Sequence, residues 1–339
     1  MFEKNIGGRV RRKYREINRI VLEGRRNLAV DGRHQMRITL FRPSGIYPKI
    51  RISTRHSAFW ADENLAFMVA RCTEWSNHLP HSEVMWLNPE EIRLLGSLMM
   101  TEEFDGGQRC TFRLLPRCHA YIDGDVKLTR TGTLVQIKKL LLETRGHAEW
   151  RGLQDAWAAI GQTKFQCFPR AWLQTELQAA YWNRISLHNL VLLRGIYAFI
   201  KADMLALEYE FREEATINTF IALDASFELV LRHLKRCGVP SPSSRDAGAW
   251  LYRTFDEPLG LSYGENVRYF EEFYDQRIQT MHPGSRLGDM PFAPLAWDDY
   301  SHLRSVLPGI LGFLITGQHT PEFLELFRAA KERAGRSSI

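Results

Sequence analysis

The feature that most constrains this chain is a change of texture near residue 150. From about 35 to 145, short apolar runs alternate with polar residues and are cut by Pro and Gly. After 150 the strand signals all but vanish, and long segments with apolar residues three and four apart take over. A period of two builds strands with one buried face, and a period near 3.6 builds helices with one buried stripe. The expected fold class is therefore α+β, a mixed α/β N-terminal domain followed by an all-α helical bundle.

Residues 36–41, 50–52, 110–115 and 120–122 read as strands. Asp123-Gly124 is a hairpin-turn signal ahead of Val126-Lys127-Leu128, which reads as the returning strand. Asn88 followed by Pro89 supplies an N-cap and a first helical residue, opening a helix through Met100. A second helix is expected over 133–143. Helical segments then cover about 170–185, 186–211, 213–236, 263–282, 297–316 and 321–335, with Pro- and Gly-bearing breakers at 238–244, 257–260 and 283–294. Leucine-rich helices with short polar joints describe an up-and-down bundle. The chain thus divides into a basic arm (1–30), a mixed α/β domain (31–150), a connecting helical segment (151–185) and a bundle (186–335). With 339 residues it is long enough for two cores.

Charge is unevenly placed. Residues 1–55 hold 15 Lys or Arg against four acids, whereas the whole chain nets only +6, so the remainder is slightly acidic. A basic arm on an acidic body suits an anionic partner, nucleic acid being the commonest. Arg9, Arg11, Arg12, Lys13 and Arg15, with Arg286 further on, are the expected nucleic-acid contacts. A solubilising tail or a subunit contact would account for the same charge. No run of about 18 uncharged apolar residues occurs, so no membrane span is expected. No apolar segment follows the first cations, so no secretory signal is expected either. Cys72, Cys110, Cys118, Cys167 and Cys237 are odd in number and scattered, as free thiols in a reducing cytosol are. A cytoplasmic protein is the expectation.

Metal chemistry finds little support. There is no Cys-x-x-Cys and no His-Glu-x-x-His; Cys110 with Cys118-His119 fits no zinc spacing, and His78 and His81 sit in a Pro-containing loop. No metal or cofactor is expected. Gly7-Gly8 and Gly106-Gly107 lack the rest of a phosphate loop. Gly260-Leu261-Ser262-Tyr263-Gly264 spells a nucleophile elbow, but Glu257-Pro258-Leu259 precedes it where a strand is needed. Glu208, Glu210, Glu213 and Glu214 read as a solvated helix face.

Arg277 and His282 remain. Val267, Phe270, Tyr274, Ile278 and Met281 draw one stripe along a helix, and Pro283 disfavours helical geometry at His282, placing that histidine at the helix end. Arg277 lies about one turn back. A permanent cation beside a group that titrates near neutrality suits phosphate chemistry. A surface arginine and a histidine complementing the helix dipole would share this spacing.

The region 186–335 resembles a HEPN domain, the helical-bundle superfamily whose signature is Arg, four to six residues, then His. In a bacterial branch linked to phage defence the motif helix reads aromatic, two residues, Arg, four residues, His and a small residue; Tyr274, Arg277, His282 and Pro283-Gly284 follow that pattern. The stretch 220–228, ending at Glu228, is similar to the family's acidic N-terminal helix. The resemblance implies a HEPN-like bundle that is a metal-independent endoribonuclease, a toxin or anti-phage effector. It implies that two motif helices meet in a homodimer and form one composite site on RNA. Arg277 and His282 would be catalytic, with Asp275, Gln279 and Glu228 as supporting candidates. The N-terminal domain would then be a sensor or regulator for a ligand or a protein. Two positions depart from the family pattern: Ile278 stands where many active members carry a polar residue, and Gly284 where some toxins carry a tyrosine that a partner enzyme modifies. The alternative is a non-catalytic HEPN module that binds RNA or nucleotide or serves as a dimerisation scaffold. A plain helical interaction domain with a DNA-binding arm is a third.

Overall fold

A computed structural model describes residues 36–71, 87–101, 104–105, 108–109, 112–122, 127–144, 166–168, 175–206, 209–261 and 297–336. The chain forms two compact units, Met1–Leu94 with Glu102–Leu173, and Leu95–Thr101 with Gln174–Ile339. The α+β class is seen directly, as a sheet followed by helices.

The sheet of the first unit is built from β1 (Met36–Pro48), β2 (Ile50–Ser53), β3 (Ser57–Ala61), β4 (Ala66–Arg71) and, after a two-stranded ribbon of β5 (Phe104–Asp105) and β6 (Gln108–Arg109), β7 (Phe112–Ile122). The order is β2-β3-β4-β1-β7, with every neighbour antiparallel. A sixth strand, β8 (Gln166–Phe168), runs parallel to the end of β1 at Ile46–Pro48. Two prolines sit where a strand tolerates them. Pro43 lies past the point where β4 stops pairing, at Phe41 and Ala66. Pro116 is on β7, outermost among the described strands on that side, beside a register shift at Leu40 and Phe41.

Strand alternation sorts β1 into two faces. Met36, Ile38 and Leu40 join Ala58, Phe67 and Val69 in an apolar layer against Leu134, Ile137 and Leu141 of the helix Thr131–Thr144 (α2, the second in chain order). Lys138 of that helix pairs with Asp62, whose carboxylate also accepts from Trp60 Nε1 at 2.7 Å and closes the β3–β4 turn through the Asn64 and Leu65 amides. Arg37, Thr39 and Phe41, on the other face, are equally buried. Arg37 and Thr39 bond to Glu91 at the start of the helix Pro89–Met99 (α1), which opens as the Asn88-Pro89 pair requires. Asn88 Oδ1 accepts from the Glu91 amide at 2.9 Å, and Glu91 Oε2 accepts from the Asn88 amide at 2.8 Å, a reciprocal capping box.

Two expectations change here. Lys127 and Leu128 form no returning strand; they belong to the turn that leads into α2, with Leu128 buried in the apolar layer. Asp123 and Gly124 lie outside the described residues. The stretch 151–185, expected as a helical connector, holds β8 as well as the helix α3 (Thr175–Arg184).

The second unit is helical. After α3 come α4 (Leu190–Leu205), α5 (Arg212–Arg236), α6 (Ser244–Leu251), α7 (Trp297–Thr316) and α8 (Pro321–Arg336). The helices α4 and α5 pack along their lengths, and α7 lies against α5 and α3. Their buried faces carry Leu192, Ile196 and Phe199 on α4, Phe220, Leu223 and Val230 on α5, and Leu303, Leu307 and Ile310 on α7. Close approach depends on glycine: a Cβ at Gly195 would sit 2.9 Å from the Ala225 Cβ, and one at Gly312 would sit 2.6 Å from the Tyr181 hydroxyl oxygen. The expected helix 263–282 lies outside the described residues. Among the described ones, no helix is long and apolar enough to cross a membrane.

The region between α5 and Gly260 is more structured than its breakers suggest. Ser243 and Asp246 form a capping box that starts α6. One π-helical turn, Tyr252–Asp256, follows, then a 3-10 turn, Glu257–Leu259, that stops at Gly260 with φ of 71°. A left-handed residue ends the run, as glycine permits.

Candidate functional site

Arg277 and His282 lie outside the described residues, as do Asp275, Gln279 and Arg286. The same holds for Arg9, Arg11, Arg12, Lys13 and Arg15 of the basic arm. Glu228 is described. It is on the exposed face of α5, and its Oε1 accepts from Arg232 Nε at 2.8 Å, a one-turn ion pair open to water. Ser262 is also outside the described set, and the residues ahead of it form the 3-10 turn, not a strand.

Three polar constellations stand out among the described residues. The first fastens α7. Asp203 on α4 accepts from the Tyr300 hydroxyl at 2.9 Å and from Arg304 Nε at 2.6 Å, all three buried. The Arg304 guanidinium also lies 5.0 Å from the centre of the Phe199 ring. A buried carboxylate held by a guanidinium and a phenol has its charge compensated where it sits. Such a group positions a helix rather than attacking a substrate. The helix it positions is the one that follows the Arg277–His282 segment in sequence.

The second surrounds the π-helical turn. Burial pushes the Asp256 carboxyl up to about 6, and its Oδ2 has no hydrogen-bond partner. His319, between α7 and α8, stacks on Phe323 at 4.0 Å and packs against Phe313 at 4.6 Å and the edge of Phe255 at 5.4 Å. Burial holds its imidazole below the usual range, and its Nδ1 is likewise without a partner. Desolvation disfavours charge in both groups, which moves their titrations toward each other. Single-turn π-helices recur at functional sites. No sequence signal marks this one, although Ser243 and Asp246, three apart, announce the helix that leads into it.

The third lies in the first unit, on the sheet face that meets α1. At its centre Glu91 accepts from Arg37 Nε at 2.8 Å and from the Thr39 hydroxyl at 2.7 Å, and a second nitrogen of Arg37 pairs with its other oxygen. Beside this satisfied pair stands a less satisfied group. Glu90 is 3% exposed; its Oε1 is 3.7 Å from Arg93 Nη1, and its Oε2 has no hydrogen-bond partner. Burial raises the Glu90 carboxyl, opposed by the charges of Arg93 and Arg71. Arg71, at the end of β4, holds the β2–β3 turn by donating its amide to the His56 carbonyl at 2.8 Å and its Nε to the Arg55 carbonyl at 3.2 Å. His56 is held below its usual range by burial and then by Arg71, Arg55 and Arg93. Residues far apart in sequence (55, 56, 71, 90 and 93) thus share one electrostatic neighbourhood. The sequence reading singled out none of them.

No group of three or more His, Cys, Asp or Glu side chains among the described residues is arranged to hold a metal ion. Comparison with protein-family models, curated proteins and solved structures finds no match to this chain.

Proposed function

We propose that the second unit is a metal-independent endoribonuclease of HEPN type, acting as a toxin or anti-phage defence effector. The observation that carries this reading is the Arg277, four residues, His282 pattern at the end of an aromatic-striped segment, in a region otherwise rich in helices. RNA brings its own nucleophile. His282 accepts the proton of the 2′-hydroxyl, whose oxygen attacks the adjacent phosphorus. Arg277 holds the non-bridging oxygens with two donors and stabilises the charge of the pentacovalent state. The 5′-oxygen departs with a proton from the second histidine of the dimer, leaving a 2′,3′-cyclic phosphate. The buried Asp203–Arg304 pair supports the reading in one respect: it would fix the helix that follows the motif.

The test is cleavage of RNA by the purified chain in EDTA. Cyclic-phosphate ends are expected, with Arg277→Ala and His282→Ala each slower by about a hundredfold or more. Equal rates for His282→Ala and the parent would overturn the proposal. Ile278 favours a second reading, a HEPN module that binds RNA or nucleotide without cutting it. That reading expects retained, intact RNA whose binding depends on Arg277.

A further inference from the structure

The last helix is attached to its unit unlike the others. None of the described side chains of α8 is buried, and Leu324 and Leu326 are 41% and 50% exposed. By contrast α4 buries Leu192, Ile196 and Phe199, and α7 buries Leu303, Leu307 and Ile310. The helix α8 lies against the 3-10 turn Glu257–Leu259, and in its first turn the Phe323 ring stacks on His319. With so little burial, α8 opens at a lower free energy than the bundle beneath it. Its start is capped locally, Thr320 accepting from the Leu324 amide on its carbonyl at 3.1 Å and from the Phe323 amide on its hydroxyl at 3.2 Å. Glu322 and Glu325 come early in the helix and Arg328, Lys331 and Arg333 later, the order that suits the helix dipole.

His319 sits in the joint between α7, which ends at Gly317 with φ of 72°, and α8. Phe323 of α8, Phe313 of α7 and Phe255 of the π-helical turn enclose its ring, and its Nδ1 is buried without a partner. With the proton on Nε2, a neutral ring hides only an unused lone pair. A second proton places a charged N–H at Nδ1 with no acceptor, away from the water that a released ring regains. Contact of a cation with the ring faces returns part of that loss. Burial nevertheless holds the imidazole below its usual range, so the loss is the larger effect. The charged groups on the elements around it are Arg253, Asp256 and Glu257 on the two turns and Glu322 and Glu325 on α8; residues 305–316 of α7 carry none. His233 joins the aromatic group through Trp250. Asp256, whose carboxyl burial pushes up to about 6, gains a proton in the same range and takes the form that burial favours. It therefore opposes release as pH falls.

We infer that His319 is the pin of a latch holding α8 to the bundle, and that protonating its imidazole frees α8 from Phe255 and Phe313. The released ring titrates at its ordinary 6.5 and the docked ring below it. Docking is thus at full strength above 6.5 and weakens as pH falls through that value. The latch works whether or not the unit cuts RNA.

Hydrogen–deuterium exchange of the full chain, read by mass spectrometry at about pH 7.5 and about pH 5.5 and corrected for intrinsic rates, tests it. Amides of α8 should exchange severalfold faster at the lower pH, with α4 and α5 unchanged. His319→Phe keeps a ring in the stack and cannot be protonated, so α8 should stay protected at both pH values. Phe323→Ala removes the stack and should leave α8 in fast exchange at both. Asp256→Asn should leave the pH response in place. The inference is overturned if α8 of the parent exchanges alike at both pH values, or if His319→Phe responds to pH as the parent does. It is equally overturned if Phe323→Ala leaves α8 protected, if Asp256→Asn abolishes the response, or if α4 and α5 accelerate in step with α8.

Discussion

The sheet of the first unit and the helices of the second bury their contents by different means. On one face of β1 the sheet hides Arg37, Thr39 and Glu91, a hydrogen-bonded ionic group with each partner on a defined atom. The α4–α5 pair hides mostly apolar side chains, its buried hydroxyls at Thr216, Thr219 and Ser226 bonding to carbonyls of their own helix, and Gly195 faces Ala225 with no room for a Cβ. The difference concerns specificity. A one-residue slip of β1 would drive Arg37 into the layer of Met36, Ile38 and Leu40, so the buried ions penalise every wrong register. Slippage of α4 on α5 would exchange one apolar contact for another; the bulk missing at Gly195 opposes it, while Asp203 ties α4 to α7.

The contrast can be broken most severely at Glu91. Glu91→Ala removes the acceptor of Arg37 and half of the capping box, and should destabilise the first unit by about 3–5 kcal/mol. Denaturant unfolding followed in the first unit would read this loss, and Arg37→Met with Glu91→Leu should recover most of it. A loss under about 1 kcal/mol would mean that the ionic group does not govern the sheet. At Gly195, Val substitution should cost the helical unit about 1–3 kcal/mol by overpacking against Ala225, visible as a lower melting temperature with the first unit unaffected. The smallest effect expected is on pH dependence. Asp256 carries its proton up to about pH 6 when folded, against 3.8 unfolded, so the folded state binds more protons between those values. Stability of the second unit should therefore fall as pH rises from about 4 to 6 and level off above, and Asp256→Asn should remove that slope. His319 acts in the opposite sense, costing stability as pH falls below 6.5.

The helices were legible in the sequence where periodicity and caps agreed. Asn88 and Pro89 mark the start of α1, and the apolar spacing of 186–211 and 213–236 marks α4 and α5, which run over Leu190–Leu205 and Arg212–Arg236. Strands β3 and β4 were not singled out, because Ala58, Phe59, Ala66, Phe67, Met68 and Val69 are buried on both faces and show no alternation. Arg37, alternating with apolar neighbours, has the look of a solvent-facing residue; its partner is 54 positions away. The π-helical turn has no signature in residue type. Among site residues, Arg277 and His282 are legible because they sit close together on one periodic segment. The Glu90 cluster was invisible because only the fold unites the β2–β3 turn, the end of β4 and the start of α1.

The parallel pairing of Ile46–Pro48 with Gln166–Phe168 carries a consequence for biosynthesis. The strands β1 to β4 can associate as soon as they leave the ribosome, since they span only 36–71. Their outer partners arrive much later. At about 5–20 residues per second, the roughly 120 residues separating Pro48 from Phe168 take about 6–24 s to make. Once β7 is made it can cover β1 from Met36 to Gly45, so for the rest of that interval the amides and carbonyls waiting for β8 are those of Ile46–Pro48. Among the described strands, the last three residues of β1 are thus the part of the sheet that synthesis completes last.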